Sequence, residues 1–183
     1  MILIVGLGNP GEKFLFTRHN IGFEIIDSFH LHFKFHAYKS KFDGLYSKKS
    51  LYGKEIIIFK PQTFMNLSGN PVKKLRNYFK IENTLDIIFI HDDIDMEFLK
   101  LRVKVNGGHG GHNGVRDAIK FNGKNFYRVK LGISNKQIKE KKVKPENFVL
   151  NKFDASEREV IEEFKKSANK YFEHLILKEF SLF

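Results

Sequence analysis

Five polar residues spread along the chain have the side chains that a hydrolysis needs. They comprise one imidazole, one carboxylate and three amides, namely His19, Asp92, Asn9, Asn66 and Asn113. An imidazole oriented by a carboxylate can act as a general base toward water. Amides can hold a carbonyl substrate and the oxyanion that forms from it. Each residue alone also suits a turn or a helix cap, so their joint occurrence is what indicates a hydrolase.

The elements expected around these residues place them at strand ends. The uninterrupted apolar runs at 2–5 and 87–90 predict buried strands. Asn9 and His19 follow the first run and Asp92 follows the second, at the strand ends where open α/β sheets keep their sites. Further strands are expected at 45–52, 55–60, 98–105 and 127–133, and helices at 21–31, 71–79, 115–121 and 155–177. This alternation predicts one α/β domain over residues 1–183.

The composition narrows the function classes. Lys and Arg number 32 against 21 acidic residues, giving a formal charge of +11. That excess favours a polyanionic partner, although a lysine-rich surface can also follow from codon usage. The absence of cysteine excludes disulfides, thiolate zinc sites and a cysteine nucleophile. No stretch approaches the roughly 20 apolar residues of a membrane span, and we expect a cytoplasmic protein that does not bind membranes.

The glycine loop after the first strand raises dinucleotide binding as an alternative. Gly6, Gly8 and Gly11 have the spacing of nucleotide-binding glycines. In that fold the helix begins at once, and an acidic residue ends the second strand about 20 residues later. Here the helix is expected to begin only near His19. The stretch that follows this helix is basic, so it does not supply the acidic residue. A nicotinamide-dependent oxidoreductase therefore rests on the glycine spacing alone.

Two other kinds of site fit the sequence less well. Ser68 lacks the glycines of a nucleophile elbow, because Asn66 occupies the alternate position before it. A metal site could be drawn from good ligands without a recognised ligand spacing, namely His91, Asp92, Asp95, His109 and His112. Histidines in glycine loops are more often turn residues. These residues alone therefore give little support to a metal site.

Five motifs, in order, resemble the bacterial-type peptidyl-tRNA hydrolases over almost the whole chain. They are the glycine loop at 6–11, TRHN at 17–20, TFMNLSG at 63–69, HDD at 91–93 and the glycine-rich loop at 107–114. The resemblance implies a single three-layer α/β domain whose twisted, mostly parallel mixed sheet is flanked by helices. It also implies a monomer that hydrolyses the ester joining a peptide to the 3′ ribose of tRNA, with no cofactor and no metal.

The resemblance also assigns roles to residues. His19 would activate water and Asp92 would orient its ring. The family's substrate-binding positions correspond to Asn9, Phe14, Met65, Asn66 and Asn113. The three asparagines would position the peptide carbonyls and the terminal adenosine, and Met65 would line the same pocket. Phe14 stands where the family usually has tyrosine, so any hydrogen bond from that hydroxyl is absent.

Lys104 and Lys130 match the family's two residues that bind the 5′ phosphate of tRNA. Lys130 replaces an arginine, which keeps the charge but loses the planar two-pronged donor. The lysine-rich segment 134–152 matches the family's mobile region over the cleft, and we expect a mobile flap or loop there. A non-catalytic RNA-binding protein is the remaining alternative, favoured by the net charge and by the interleaved basic and aromatic residues of 33–52.

Overall fold

The computed structural model of the chain describes residues 1–177, and a seven-stranded sheet forms its centre. The strands are β1 Ile2–Gly6, β2 Lys39–Lys41, β3 Gly44–Leu51, β4 Lys54–Pro61, β5 Ile87–Glu97, β6 Leu101–Val105 and β7 Tyr127–Ser134. The helices are α1 Ile21–His32, α2 Gly69–Tyr78, α3 Asn113–Asn122, α4 Lys136–Lys139, α5 Pro145–Phe148 and α6 Ala155–Leu177. Short 3₁₀ helices occupy Glu12–Phe14, Arg18–Asn20, Met65–Leu67 and Thr84–Asp86.

The sheet is mixed, in the order β2-β3-β4-β1-β5-β7-β6. The four central strands β4, β1, β5 and β7 run parallel, and the outer strands β2, β3 and β6 pair antiparallel. Strand β1 lies between β4 and β5, so the connections that follow β1 and β4 leave the sheet around one crevice. Open α/β sheets bind their ligands in such a crevice.

Helices cover both faces of this sheet, which confirms the three-layer α/β fold. Alternate residues of β1 face opposite sides: Ile4 belongs to the core beneath α1 and α6, whereas Val5 belongs to the core beneath α2 and α3. Phe29 and Phe172 meet in the first core at a centroid distance of 5.9 Å. No helix within residues 1–177 is both long and apolar enough to cross a membrane.

Helix α1 packs very closely on the ends of β1 and β5. A Cβ atom on Gly22 would lie 2.5 Å from the carbonyl oxygens of Leu7 and Ile90, and one on Gly6 would collide with the backbone of Gly22. Only glycine permits this approach. A Cβ on Gly8 would likewise collide with the ring of Phe23 in α1. Gly6 and Gly8 of the first motif are therefore needed for packing against this helix. The close packing sets the start of α1 beside β5.

Strand β5 is longer than the sequence predicts. The expected strand ends at residue 90, but pairing with β7 continues through Asp93 and resumes at Glu97 after a register shift. Backbone hydrogen bonding to β7 does not depend on apolar side chains, so the polar sequence after Ile90 still forms a strand. Asp92 therefore lies within a strand and not in the loop after it. The next strand begins only at Leu101.

The segment 134–152 is more regular than the expected flap or loop. It contains α4 and α5, and Phe148 at the end of α5 is fully buried. Beyond α5 the backbone carbonyls of Val149 and Asn151 accept the N–H groups of His19 at 2.8 Å and Arg18 at 3.0 Å. The end of the segment is thus bonded to the turn that carries His19.

Candidate active site

A histidine and an aspartate from separate elements form the centre of the site. His19 lies in the 3₁₀ turn before α1, Asp92 lies in β5, and both are buried. The Nδ1 atom of His19 is 2.8 Å from Oδ1 and 2.9 Å from Oδ2 of Asp92. An ionised carboxylate only accepts hydrogen bonds, so Nδ1 donates and Nε2 carries no proton. No residue of the described chain bonds Nε2, which is left to act on a water molecule.

The two groups adjust each other's proton affinity. Burial by itself lowers the pKa of His19, but the charge of Asp92 and the hydrogen bond to it outweigh burial and raise this pKa above 6.5. Burial would raise the pKa of Asp92, yet the charges and hydrogen bonds of His19 and His112 hold it far below its usual range. Asp92 therefore stays ionised, and His19 has the basicity of a general base near neutral pH.

Asn9 connects the loop after β1 to two other parts of the site. Its backbone N–H donates to Oδ1 of Asn20 at 2.8 Å, and Nδ2 of Asn20 donates back to the Asn9 carbonyl at 2.9 Å. The side-chain Oδ1 of Asn9 accepts the N–H of Met65 at 2.8 Å. These contacts fix the amide's orientation, and within residues 1–177 its Nδ2 group has no partner. That NH₂ group is available as a donor.

Asn66 and Asn113 are exposed, and neither side chain has a hydrogen-bond partner in the described part of the chain. Asn66 lies in the Met65–Leu67 turn, and Asn113 is the first residue of α3. The backbone around them is held in place, because Oδ2 of Asp117 in α3 accepts the N–H of Gly69 at 2.7 Å. The side-chain amides of Asn66 and Asn113 are therefore unpaired within residues 1–177, on a backbone that is held in place.

The apolar residues of the site have different exposures. Met65 is only 4% exposed, and the start of α3 packs so tightly on it that a Cβ on Gly114 would collide with its sulfur. Phe14 is half-buried and meets Phe64 edge to face at a centroid distance of 6.3 Å. Phe64 is 54% exposed. Sequence reasoning did not single out Phe64, although it lies beside Met65 and Asn66 in their motif.

His112 is a second residue that sequence reasoning did not assign to the site. Its Nε2 atom lies 2.9 Å from Oδ1 of Asp92. Its Nδ1 atom accepts the N–H groups of Gly114 at 3.1 Å and Val115 at 3.3 Å, which caps α3. The sequence offers one signal, the position of His112 directly before a helix start, but nothing there reveals that Asp92 lies within reach.

The same side chains have the spacing of a metal site. Among residues 1–177, the ligand atoms of His19, Asp92 and His112 lie within 4.8 Å of one another. Both imidazoles direct their N–H groups at Asp92, so protons occupy the positions that a metal ion would need. Two residues of the alternative ligand set lie elsewhere: Asp95 donates its backbone N–H to Asp93, and the ring of His109 accepts the N–H of Gly111.

The two predicted phosphate-binding lysines lie on adjacent antiparallel strands, in register pairs that are two residues apart. Lys104 in β6 lies opposite Arg128 in β7, whereas Lys130 lies opposite Arg102. Lys130 forms an ion pair with Asp93, and that carboxylate offsets its charge. The cation directly opposite the exposed Lys104 is Arg128.

Arg128 is buried beneath the glycine-rich loop and has no ion pair in the described part of the chain. It is 3% exposed, and its Nη1 group donates to the carbonyl of Gly108 at 2.7 Å. A Cβ on Gly107, whose φ is +100°, would lie 3.1 Å from Nη2 of Arg128 and 3.2 Å from Cε of Lys104. Both cations thus flank the loop at Gly107.

Comparisons with known proteins agree with this architecture. A family model described as peptidyl-tRNA hydrolase matches residues 3–182. The chain is 40% identical over 169 residues to a peptidyl-tRNA hydrolase of Fusobacterium nucleatum subsp. nucleatum, covering 92% of this chain and 86% of the relative. It is 44% identical over 183 residues to one of Campylobacter hominis, covering 100% and 77%. The crystal structure of peptidyl-tRNA hydrolase from Acinetobacter baumannii superposes with a TM-score of 0.89 at 32% identity, covering 100% of this chain and 91% of that one.

Proposed function

This chain belongs to the peptidyl-tRNA hydrolase family, and we propose that it hydrolyses the ester between a peptide and the 3′ ribose of tRNA with His19 as the general base. The reaction frees tRNA from peptides that were never completed. The observation that carries the proposal is the bond from His19 Nδ1 to Asp92 at 2.8 Å. That bond holds the ring in the tautomer whose Nε2 can accept a proton from water.

The reaction runs in two steps at Nε2 of His19. As the water oxygen attacks the ester carbonyl, Nε2 takes the proton of the water and a tetrahedral oxyanion forms. The intermediate then collapses, the bond to the ribose 3′ oxygen breaks, and Nε2 returns the proton to that oxygen. The products are a peptide carboxylic acid and a tRNA with a free 3′ hydroxyl. Asp92 stabilises the imidazolium that exists between the two steps.

The three asparagines supply the donors that this chemistry needs. We assign the free amides of Asn9, Asn66 and Asn113 to the peptide carbonyls and the terminal nucleoside, where a donor on the oxyanion contributes about 10² to 10³ in rate. The support is that Nδ2 of Asn9 and the side chains of Asn66 and Asn113 have no hydrogen-bond partner within residues 1–177. Phe14 and Met65 form the apolar wall of the same cleft.

The basic residues account for binding of the tRNA body. We assign Lys104 to a phosphate, because it is exposed and carries no ion pair in the described part of the chain. Lys130 contributes to phosphate binding only when the phosphate displaces Asp93 from it. The formal charge of +11 supports attraction of the polyanionic substrate.

We propose that residues 1–183 act as one domain and as a monomer in the cytoplasm, without a metal. The proposal that no metal is needed is supported by the N–H groups that His19 and His112 direct at Asp92. Sedimentation of the purified protein measures the oligomeric state, and a species of 21.5 kDa is expected.

The proposal is tested with tRNA carrying an N-blocked peptide, separated on a gel before and after incubation. Wild-type protein should release the peptide, and His19→Ala should be slower by about 10² to 10⁴ while still binding tRNA. His32→Ala is the matched control, since His32 is exposed at the end of α1 and lies outside the site motifs. Binding of tRNA without release by the wild type would favour a non-catalytic RNA-binding protein.

A further inference from the structure

We infer that His112 is a positioning residue of this reaction: it holds the Asp92 carboxylate for His19 and ties that carboxylate to the helix that presents Asn113. The inference rests on the proposed function, since it concerns the same base. It adds a third side chain to the His19–Asp92 pair.

The carboxylate of Asp92 is shared between two imidazoles. Oδ1 accepts from Nδ1 of His19 at 2.8 Å and from Nε2 of His112 at 2.9 Å, whereas within residues 1–177 Oδ2 accepts only from His19, at 2.9 Å. Asp92 is 2% exposed, so water cannot readily replace a donor that is lost. Two donors from different directions fix the plane of the carboxylate. With one donor removed, the carboxylate is free to turn.

The other nitrogen of His112 fixes which state of the ring makes this contact. Nδ1 accepts the N–H groups of Gly114 and Val115, so it carries no proton. The proton therefore resides on Nε2, and His112 donates to Asp92 as a neutral ring. The same ring caps α3, whose first residue is Asn113. One side chain thus connects the base assembly to a substrate-binding amide.

In the described part of the chain, Asp92 is the charged group that bonds His112, and the other rings beside it are histidines. The ring of His19 lies 4.8 Å away and the ring of His91 lies 4.7 Å away, edge on. Burial lowers the pKa of His91 to about 3, so His91 is neutral at physiological pH. The positive charge of Lys130 also lowers the pKa of His91, and Lys130 itself forms an ion pair with Asp93.

Loss of the His112 donor has a predictable direction for the base. With one donor fewer, the negative charge of Asp92 acts more strongly on the proton of His19. Protonated His19 is then favoured, and its pKa rises. Less of the enzyme has a neutral base at a given pH, so the acid limb of the rate profile moves to higher pH. A role confined to helix capping would leave this limb in place.

Two variants separate capping from contact with Asp92. In His112→Asn, the side-chain oxygen takes the place of Nδ1 and asparagine remains a favoured helix cap, but the shorter side chain lacks the atom that reaches Asp92. His112→Ala removes both contacts. The measurements are kcat and KM on N-blocked peptidyl-tRNA across pH, the ¹⁵N shift titration of the His19 ring, and Tm.

For His112→Asn we expect kcat to fall about tenfold, because the lost bond is one to a charged group. KM should change little, the His19 titration and the acid limb should both move to higher pH, and Tm should stay near that of the wild type. His112→Ala should show the same kinetic changes with a lower Tm.

Wild-type kcat together with a wild-type His19 titration in His112→Asn would overturn the inference. So would a loss of Tm in both variants with no change in the titration. A wild-type protein that does not hydrolyse peptidyl-tRNA would instead refute the proposed function, and the NMR titration would still decide whether His112 acts on His19. The two failures are therefore distinguishable.

Discussion

The buried centre of the site and its exposed rim are built in opposite ways. In the centre, His19 and His112 each bond Asp92, and all three side chains are largely shielded from solvent. At the rim, Asn66 and Asn113 are exposed and have no partner in the described part of the chain. The base is thus assembled before the substrate arrives, while the substrate itself completes the hydrogen bonding of the rim. Preorganised charge at the reacting centre of this kind costs no reorganisation during the reaction.

The largest effect is expected where the centre is broken. Asp92→Asn replaces the acceptor of His19 Nδ1 with an amide that cannot stabilise an imidazolium, so kcat should fall by about 10² to 10⁴. Asp95→Asn is the matched control, because Asp95 is exposed and lies in the same strand. Steady-state hydrolysis of N-blocked peptidyl-tRNA measures both. Equal activity of the two variants would show that the centre does not depend on Asp92.

Changes at the rim should cost less and leave the base intact. Asn66→Ala and Asn113→Ala should each lower kcat/KM by up to about 10² to 10³, since each removes a donor that only the substrate satisfies. The His19 titration should stay at its wild-type pH in both. Asn125→Ala, at another exposed asparagine, serves as the control. A shifted His19 titration in either rim variant would show that the proton affinity of His19 depends on the rim asparagines.

The basic face should give smaller effects that depend on salt. Lys104→Ala should weaken tRNA binding and reduce the slope of log affinity against log salt by about 1, as expected for one lost phosphate contact. Lys130→Ala should change the slope less, because Asp93 already offsets that charge. Asp93→Asn should tighten binding by releasing Lys130. Binding titrations at several salt concentrations measure all three variants. Equal slopes for Lys104→Ala and Lys130→Ala would contradict the claim that Asp93 offsets the charge of Lys130.

The smallest effect is expected from removal of metal ions. Since N–H groups of His19 and His112 fill the positions around Asp92 that a metal would take, kcat should be unchanged after treatment with a chelator and dialysis. Activity that is lost and then restored by one divalent cation would place a metal at these ligands.

The sequence predicts the centre better than the contacts around it. His19 and Asp92 could be identified because polar side chains follow apolar strands, and that pattern is local. The role of His112 could not, because it depends on how close residues 92 and 112 lie in the folded chain. The pairing of Lys104 with Arg128 likewise follows from the register of β6 on β7, which side-chain types do not determine.

Strand β5 shows the same limit at the level of secondary structure. Its polar continuation after Ile90 has the composition of a loop, yet backbone pairing with β7 keeps it extended as far as Glu97. The 134–152 segment lacks an apolar period, but burial of Phe148 orders the part that adjoins His19. In both places long-range contacts decide the local structure.

The pH dependence of kcat/KM, measured beside the ¹⁵N titration of the His19 ring, tests the central claim most directly. Only neutral His19 can accept a proton from water, and its pKa is raised above 6.5 by Asp92 despite the burial that lowers it. Activity should therefore be full above that pKa and fall as the pH drops through it, in step with protonation of His19. A rate that stays constant while His19 becomes protonated would contradict general base catalysis by this residue.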